Sequence, residues 1–387
     1  MSAQRATADV LVLGGGIIGA ALAQRLSTLG ADVLLLEAGS CGNQGATAAG
    51  MGHLVVMDDN PAELALSAWS CALWREWTAQ DPQAHEYSRC GTLWIAADAE
   101  EMQAARAKAQ LLQAHGVACE LLDEAALREA EPQLRHGLAG GLRVCDDGIV
   151  YAPKSVSWLL AHSGPRLRLR QGQAVKLLWD AAQPARAIGV ACADGSQIHA
   201  AQVVLANGMG VLQLAPELPL RAKQGMLAIT DRYPGWVRHQ LVELAYIKNA
   251  HASSGDSVAF NVQPRPSGQM MIGSSRQYDR QERSLNHALL GQMLRLACSF
   301  LPQLAQLNII RCWSGVRCAS PDGLPLLGPH PRHPGLWLAC GHEGLGVTTA
   351  PASAHLLAAQ IMQLPCELNP QDYAPARFDA LAPALAA

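Results

Sequence analysis

A glycine-rich turn near the N-terminus constrains the fold of this chain more than any other sequence feature. The turn contains Gly14, Gly16 and Gly19, follows an apolar run at residues 10–13 and precedes a helical pattern that stops at Gly30. The first glycine permits a tight turn, the second lets the backbone approach a pyrophosphate, and the third lets the helix pack on the strand. The pattern therefore predicts a βαβ unit that binds a dinucleotide at the N-terminus of its helix.

The residues that follow this unit narrow the choice of dinucleotide. Glu37 ends a second apolar run, residues 33–36, where a carboxylate accepts hydrogen bonds from ribose hydroxyls. An acidic side chain there disfavours a 2′-phosphate, which argues against NADP and leaves FAD or NAD. Residues 45–53 then form a loop rich in small side chains. Such a loop lets the backbone lie against a flat ring system, which favours FAD over NAD.

Composition restricts the class of protein. The 29 Lys and Arg residues against 32 Asp and Glu residues give a net charge of −3, which does not attract a polyanion and argues against nucleic-acid binding. Charged residues make up 16% and apolar residues 50% of the chain, a balance typical of a globular protein rather than a disordered or collagen-like one. The length of 387 residues suggests two domains.

The eleven cysteines indicate buried, reduced thiols. Their count is odd, no two have C-x-x-C spacing, and the closest pair is Cys312 and Cys318. We therefore predict no metal site and no iron–sulfur cluster within this chain, and we interpret His330 and His333 as part of a surface loop.

Neither a signal peptide nor a transmembrane segment is expected. The first residues lack the apolar core of a signal peptide, and glycines interrupt the apolar stretch at residues 10–23. We predict a cytoplasmic protein, with peripheral attachment to the inner face of a membrane as an alternative.

Four parts of the sequence, spread over nearly the whole chain, carry the motifs of a known family. They are the glycine motif with Glu37, the loop ending at Gly52, residues 203–208, and a C-terminal pair at residues 315–325 and 341–346. With these motifs the chain resembles the FAD-dependent amino-acid oxidase and dehydrogenase family, which includes glycine oxidase, sarcosine oxidase and the D-amino-acid dehydrogenases. Within that family, residues 259–266 and 272–277 most resemble the β subunits of D-hydroxyproline dehydrogenase and of opine oxidases.

The resemblance implies an α/β fold in which two domains are interleaved. A Rossmann-like FAD-binding domain of the glutathione-reductase type is expected at residues 1–90, 145–215 and 310–387. A β-rich α+β substrate domain is expected at residues 91–144 and 216–309.

The resemblance also implies the residues that contact FAD. We expect the FAD to be non-covalent, because Gly315 occupies the position of the flavin-linking cysteine of monomeric sarcosine oxidase. The expected cofactor-binding residues are Gly14, Gly16, Ile17, Ile18, Gly19, Glu37, Ala38, Gly45, Ala46, Thr47, Ala49, Gly50, Met51, Val175, Ala206, Asn207, Gly208, Arg317, Gly341, His342, Gly344, Gly346, Val347 and Thr348.

The substrate residues are expected mainly in the β-rich insert. Arg317 matches the arginine that grips the substrate carboxylate in glycine oxidase, and a guanidinium suits that role because it is planar and permanently charged. The expected catalytic residues are Arg317, His53 and Tyr246, and the expected substrate-binding residues are Arg317, Asn261, Phe260 and Lys248. For His53 and His342 a hydrogen-bonded packing role stays open beside a chemical one.

The implied reaction is oxidation of the C–N bond of a small amino acid to an imine, with hydride transfer to flavin N5. A D-amino acid or D-hydroxyproline-type substrate is predicted. One alternative is an opine oxidase β subunit, and another is an electron-transfer subunit with little activity alone. In either case partner subunits would carry an iron–sulfur centre or a second flavin, because this chain has no cysteine cluster of its own.

Overall fold

The computed structural model describes residues 6–244 and 255–381, which form two large β-sheets and the helices around them. The strands are β1 (Ala6–Leu13), β2 (Val33–Glu37), β3 (His53–Leu54), β4 (Thr92–Ala96), β5 (Cys119–Leu122), β6 (Gly140–Val144), β7 (Gly148–Ile149), β8 (Leu167–Gln171), β9 (Ala174–Trp179), β10 (Ala187–Cys192), β11 (Gln197–Leu205), β12 (Arg221–Thr230), β13 (Gln240–Glu243), β14 (Ser257–Pro264), β15 (Met270–Tyr278), β16 (Ile309–Ala319), β17 (Leu326–Pro329) and β18 (Leu336–Cys340). The α-helices are α1 (Ile17–Thr28), α2 (Gly45–Ala49), α3 (Pro61–Gln80), α4 (Ala99–Ala114), α5 (Glu124–Ala130), α6 (Ala152–Ala161), α7 (Val211–Leu214), α8 (His287–Phe300) and α9 (Gly346–Ile361). Short 3₁₀ turns lie at Gly208–Gly210, Pro302–Gln306, Pro370–Tyr373 and Pro375–Leu381.

The first sheet contains the predicted βαβ unit. Its strand order is β17-β18-β11-β1-β2-β8, and β10 and β9 extend it from β11. Strand β1 lies between β2 and β11 in parallel register, with Val10 opposite both Val33 and Gln202. Alternate residues of β1 contribute to two separate apolar cores, one of which it shares with α1 and α9. A strand covered on both faces reads as a continuous apolar run, as residues 10–13 do.

Local sequence signals set the ends of the predicted helices. Helix α1 stops because Gly30 takes a φ of +92°, and its N–H donates to the carbonyl of Ser27 at 3.0 Å. Residues 60–78 have a helical pattern that Asn60 and Pro61 predict to begin there. Helix α3 does begin there, with Pro61 in its first turn and the Asn60 side chain accepting from the N–H of Glu63 at 2.9 Å.

The second sheet has the strand order β16-β12-β15-β14-β13-β4-β6-β5. Its strand pairs are antiparallel except β13 and β4, which are parallel. Helix α8 covers part of one face, where the ring of Phe300 stacks on that of Phe260 with centroids 4.3 Å apart. The opposite face of β12, β15 and β16 is not covered by α8 and is therefore available to form a ligand site.

Two expectations from the sequence differ from the structure. Residues 195–199 and 201–205 are expected as separate strands, but β11 runs unbroken from Gln197 to Leu205 because no glycine or proline interrupts it. The boundary expected at residue 310 falls inside β16, which is hydrogen-bonded to β12 in the second sheet. The exact division into domains stays a prediction. In the described ranges, no helix is long and apolar enough to cross a membrane.

Candidate active site

The glycine turn connects β1 to α1 through very close backbone contacts. Gly14 has a φ of +101°, and a Cβ there would lie 2.6 Å from the carbonyl oxygen of Ala206. A Cβ on Gly19 would lie 1.9 Å from the carbonyl oxygen of Gly14. Only glycine tolerates both positions, so the turn brings Ala206 and Asn207 beside the start of α1.

The N-terminus of α1 is suited to hold a phosphate. Its N-cap residue is Gly16, which has no side chain to cap the helix, and its first turn contains no acidic residue. The hydroxyl of Thr47 accepts from the N–H of Ile17 at 3.0 Å, which ties the small-residue loop to the turn. The helix dipole favours an anion at this N-terminus, so the site fits the pyrophosphate of a dinucleotide.

Glu37 lies beside the same turn, as the sequence predicts. One carboxylate oxygen accepts from the N–H of Gly15 at 2.6 Å and the other from the N–H of Gly39 at 2.9 Å. These bonds hold the carboxylate at the end of β2. Each oxygen retains a second lone pair, so Glu37 can still accept from ribose hydroxyls.

A cavity of about 960 Å³ lies between the small-residue loop, the open face of the second sheet and residues 342–345. Its volume is at the upper end of the range for small-molecule sites, which is adequate for a flavin ring and a substrate. Of the residues predicted from the sequence, those that line it are Ala46, Ala49, Gly50, Met51, His53, Asn261, Arg317, His342 and Gly344.

Arg317 projects from β16 into this cavity. Its Nη2 donates to the carbonyl of Ser275 on β15 at 2.9 Å, which fixes the guanidinium against the sheet. On β12, a Cβ at Gly225 would lie 2.7 Å from that same nitrogen. Gly225 therefore leaves the space that the guanidinium occupies.

An ion pair next to Arg317 joins the second sheet to the loop before α9. Lys223, opposite Arg317 in the β12–β16 register, donates to the carboxylate of Glu343, and both side chains line the cavity. Burial raises the pKa of Glu343, but Lys223 and Arg317 outweigh it and hold the pKa below its ordinary value. The carboxylate is therefore ionised at neutral pH and offsets part of the positive charge here.

His53 connects the loop to the second sheet. Its Nδ1 contacts Oε1 of Gln240, and its Nε2 lies 3.1 Å from Nδ2 of Asn261. Burial lowers the pKa of His53 to about 4, so the ring is neutral at physiological pH. Both ring nitrogens are engaged, which favours the hydrogen-bonded packing role that the sequence leaves open for His53.

Two further predicted residues lie near the start of α9. His342, in the loop before the helix, lines the cavity, whereas Thr348, in the first turn of α9, does not. Burial lowers the pKa of His342 to about 3, and its Nε2 lies 3.2 Å from the hydroxyl of Ser353. The hydroxyl of Thr348 donates to the carbonyl of His53 at 2.8 Å. Thr348 therefore holds α9 against the small-residue loop, His342 ties the preceding loop to α9, and residues 342–345 line the cavity.

The structure does not place all the predicted substrate residues at the site. Phe260 is 1% exposed and packs in the core beneath α8, so its expected contact with substrate is wrong: alternation along β14 turns Asn261 to the cavity and Phe260 away from it. Tyr246 and Lys248 lie outside the described residues. Val175 is half-exposed on β9, and its backbone contact with adenine stays a prediction.

Gly315 bears on how a flavin would be attached. It lines the cavity, and a Cβ there would lie 2.4 Å from Cβ of Ala49. A cysteine at this position would therefore displace the loop. Within the described part of the chain, no cysteine lines the cavity, and burial raises the pKa of Cys318 to about 11.

His330 and His333 approach Glu217, and the three ligand atoms lie within 4.8 Å of one another. Glu217 is exposed, but His333 is half-buried and His330 is buried, so His330 differs from the expected surface position. Nδ1 of His330 accepts from the N–H of Arg332 at 3.2 Å, and its Nε2 lies 3.0 Å from the Glu217 carboxylate. Both nitrogens of His330 thus have protein partners.

Sequence reasoning missed Lys223, Gln240 and Glu343. Arg221, Lys223 and Gly225 alternate along β12, and this period could have indicated a polar face. Glu343 lies inside the C-terminal motif, but the motif gives it no role. Gln240 carried no signal, because its importance depends on a contact with His53.

Comparison with known proteins identifies a family, relatives and a similar solved structure. Residues 9–360 match the family model described as DAO, FAD dependent oxidoreductase. The glycine oxidase of Pseudomonas putida is 27% identical over 382 residues, covering 95% of this chain and 98% of the relative. A subunit of the opine oxidase of Rhizobium meliloti is 24% identical over 390 residues, covering 96% of this chain and 98% of the relative. The crystal structure of glycine oxidase from Geobacillus kaustophilus superimposes with a TM-score of 0.84 at 22% identity, covering 96% of this chain and 99% of that one.

Proposed function

This chain belongs to the DAO family of FAD-dependent oxidoreductases, and we propose that it oxidises the C–N bond of a small amino or imino acid whose carboxylate is held by Arg317. The observation that carries this proposal is the position of Arg317, a permanent cation fixed at the wall of a cavity that adjoins the small-residue loop. A guanidinium binds a carboxylate in a defined orientation, which places the adjacent C–N bond in the cavity.

The described residues fit FAD without a covalent bond. The turn at Gly14–Gly19 would hold the pyrophosphate, Glu37 the ribose, and the backbone of Gly50, Met51 and residues 342–345 the flavin ring. When bound, FAD supplies the hydride acceptor for the α-hydrogen. The fit of Gly315 against Ala49 supports a non-covalent cofactor.

The protein groups around the reacting bond are suited to orient the substrate rather than to exchange protons with it. Neutral His53 and neutral His342 carry no charge into the cavity at physiological pH. Arg317, Lys223 and Glu343 leave net positive charge at one wall, which matches a substrate carboxylate. The substrate amine enters uncharged, so that its lone pair can form the C=N bond, and the imine is released for hydrolysis.

We favour a D-amino acid or a D-hydroxyproline-type substrate. A second candidate is an N-substituted amino acid of the opine class, because the relative from Rhizobium meliloti is described as part of an opine oxidase. That description also supports partner subunits, which would carry the iron–sulfur centre or second flavin that accepts the electrons. A cytoplasmic location stays a prediction.

Anaerobic flavin reduction tests the proposal. Purified protein should show a flavin spectrum that bleaches on addition of one of a panel of D-amino acids, hydroxyproline isomers and opines. Arg317→Met should weaken reduction by at least about a hundredfold, equivalent to about 3 kcal/mol of lost transition-state binding. Arg311→Met on the same strand, whose guanidinium lies outside the cavity lining, is the matched control. The proposal is refuted if no amino or imino acid in the panel bleaches the flavin.

Co-expression with neighbouring genes tests the partner hypothesis. A stable complex that carries an additional redox centre would support it. A monomer that turns over fully with a dye acceptor would contradict it.

A further inference from the structure

A chain of hydrogen bonds with a fixed direction reaches the cavity from the second sheet. It starts at Gln240, whose Nε2 donates to the carbonyl oxygen of Gly148 at 3.0 Å and to the hydroxyl oxygen of Thr92 at 3.2 Å. A backbone carbonyl can only accept, so the amide nitrogen of Gln240 must face Gly148. The amide oxygen of Gln240 is then turned toward Nδ1 of His53.

The orientation of Gln240 fixes the tautomer of His53. Because Oε1 of Gln240 is an acceptor, Nδ1 of His53 carries the proton. A neutral imidazole then presents a lone pair at Nε2, and Nδ2 of Asn261 donates to it across 3.1 Å. Burial lowers the pKa of His53 to about 4, so the ring is neutral at any pH well above that value.

Asn261 is the last member of the chain. Its amide nitrogen is directed to His53, so its amide oxygen is the group left for another partner. The side chain is 8% exposed and lines the cavity, and among the described residues its Oδ1 has no hydrogen-bond partner. A buried acceptor without a donor is unfavourable, so this atom indicates a ligand that carries an N–H or O–H group.

We propose that Oδ1 of Asn261 accepts a hydrogen bond from the N–H of the substrate amine, and that His53 and Gln240 are positioning residues that fix its polarity. This inference rests on the proposed function and sharpens its substrate class. The reactive amine must keep an N–H when uncharged, so primary and secondary amines are substrates. Tertiary N,N-dialkyl amino acids are rejected, because they would leave the Asn261 oxygen unsatisfied.

Two planar carboxylates that differ at one atom test the hydrogen bond. Pyrrole-2-carboxylate presents an N–H next to its carboxylate, whereas furan-2-carboxylate presents an oxygen of similar size. Their dissociation constants for the FAD-loaded protein can be measured from the change in the flavin absorption spectrum. The wild-type protein should bind the pyrrole at least about tenfold more tightly, because furan leaves a buried acceptor unpaired.

Variants distinguish an effect of hydrogen-bond direction from an effect of side-chain packing. Asn261→Leu keeps the approximate volume and should abolish the preference for pyrrole. Gln240→Met removes the acceptor that holds the proton on Nδ1 of His53, so it should also reduce the preference although Gln240 is two residues further from the ligand than Asn261. A substitution that does not affect this hydrogen bond would weaken both ligands by the same factor. Arg317→Met should do that, since both ligands carry a carboxylate.

Each outcome bears on one proposal or both. Equal binding of the two carboxylates by the wild-type protein, with both weakened in Arg317→Met, overturns this inference and leaves the proposed function intact. Weaker FAD binding by Asn261→Leu, with the pyrrole preference of the FAD-saturated variant unchanged, would assign Oδ1 to the cofactor, which also overturns it. If neither carboxylate binds and no amino acid reduces the flavin, the proposed function fails and this inference fails with it.

Discussion

Glu63 is a buried carboxylate whose removal should make the protein more stable at high pH. It lies in the first turn of α3, is 8% exposed and lines the cavity. Within the described ranges its Oε2 has no hydrogen-bond partner. Burial, together with the nearby carboxylates of Asp59 and Glu343, raises its pKa to about 7. The folded protein therefore favours the protonated form.

The size of the effect follows from proton linkage. A raised carboxyl pKa contributes stability that is present below the unfolded value of 4.5 and is lost as the pH rises through about 7. Each pKa unit corresponds to about 1.4 kcal/mol, so the loss is about 3 kcal/mol at pH 8 and about 1 kcal/mol at pH 5. Glu63→Gln stays neutral at every pH. Its stability gain should therefore grow by about 2 kcal/mol between those conditions.

Urea unfolding of the FAD-loaded protein checks this prediction. Wild type and Glu63→Gln are compared at both pH values with the same excess of free FAD, because cofactor release is coupled to unfolding. Glu76→Gln, at an exposed position of the same helix, is the control and should show no such pH-dependent gain. An identical stability difference between Glu63→Gln and wild type at pH 5 and pH 8 would show that Glu63 is ionised in the folded protein.

Three further substitutions test individual features of the site and the core. Gly14→Ala should lower the ratio of FAD to protein in the purified sample, because its Cβ would lie 2.6 Å from the carbonyl oxygen of Ala206; unchanged flavin content would contradict the close-approach argument. Gly225→Ala should raise the dissociation constant of pyrrole-2-carboxylate about tenfold by displacing Arg317, as each tenfold is about 1.4 kcal/mol. Phe260→Leu should lower the free energy of unfolding by about 1 to 2 kcal/mol without changing that dissociation constant, since the ring lies in the core. Weaker binding of pyrrole-2-carboxylate by this variant would show instead that Phe260 contributes to the ligand site.

The N-terminal part of the fold could be predicted from the sequence because its signals are local. The apolar run before Gly14, the helix that stops at Gly30 and the start of α3 at Asn60 each depend on a few adjacent residues. The structure confirms these helix ends and the parallel pairing of β1 with β2. The prediction of separate strands at residues 195–199 and 201–205 was wrong because no breaker residue stands between these two weak apolar runs.

The candidate site, too, was predicted only in part from the sequence. The motifs predicted that Arg317, His53 and Asn261 belong to one site, and all three line one cavity. They did not predict the partners that define what each can do: Lys223 and Glu343 set the charge near Arg317, and Gln240 occupies Nδ1 of His53. Phe260 was misplaced because the period of a strand gives two faces without saying which one is buried.

The glycine turn, Glu37 and the small-residue loop thus predicted a dinucleotide site and favoured FAD from the sequence alone, because these are short segments whose backbone conformation and residue types are local properties. The oxidation of an amino-acid C–N bond was implied by the resemblance of the C-terminal motifs to a known family. The tertiary structure decided which groups at the cavity wall donate hydrogen bonds and which accept them. The sequence positions of Gln240, His53 and Asn261 carry no information about which nitrogen holds a proton, and only their packing, with Gly148 as a fixed acceptor, leaves Oδ1 of Asn261 without a hydrogen-bond partner among the described residues.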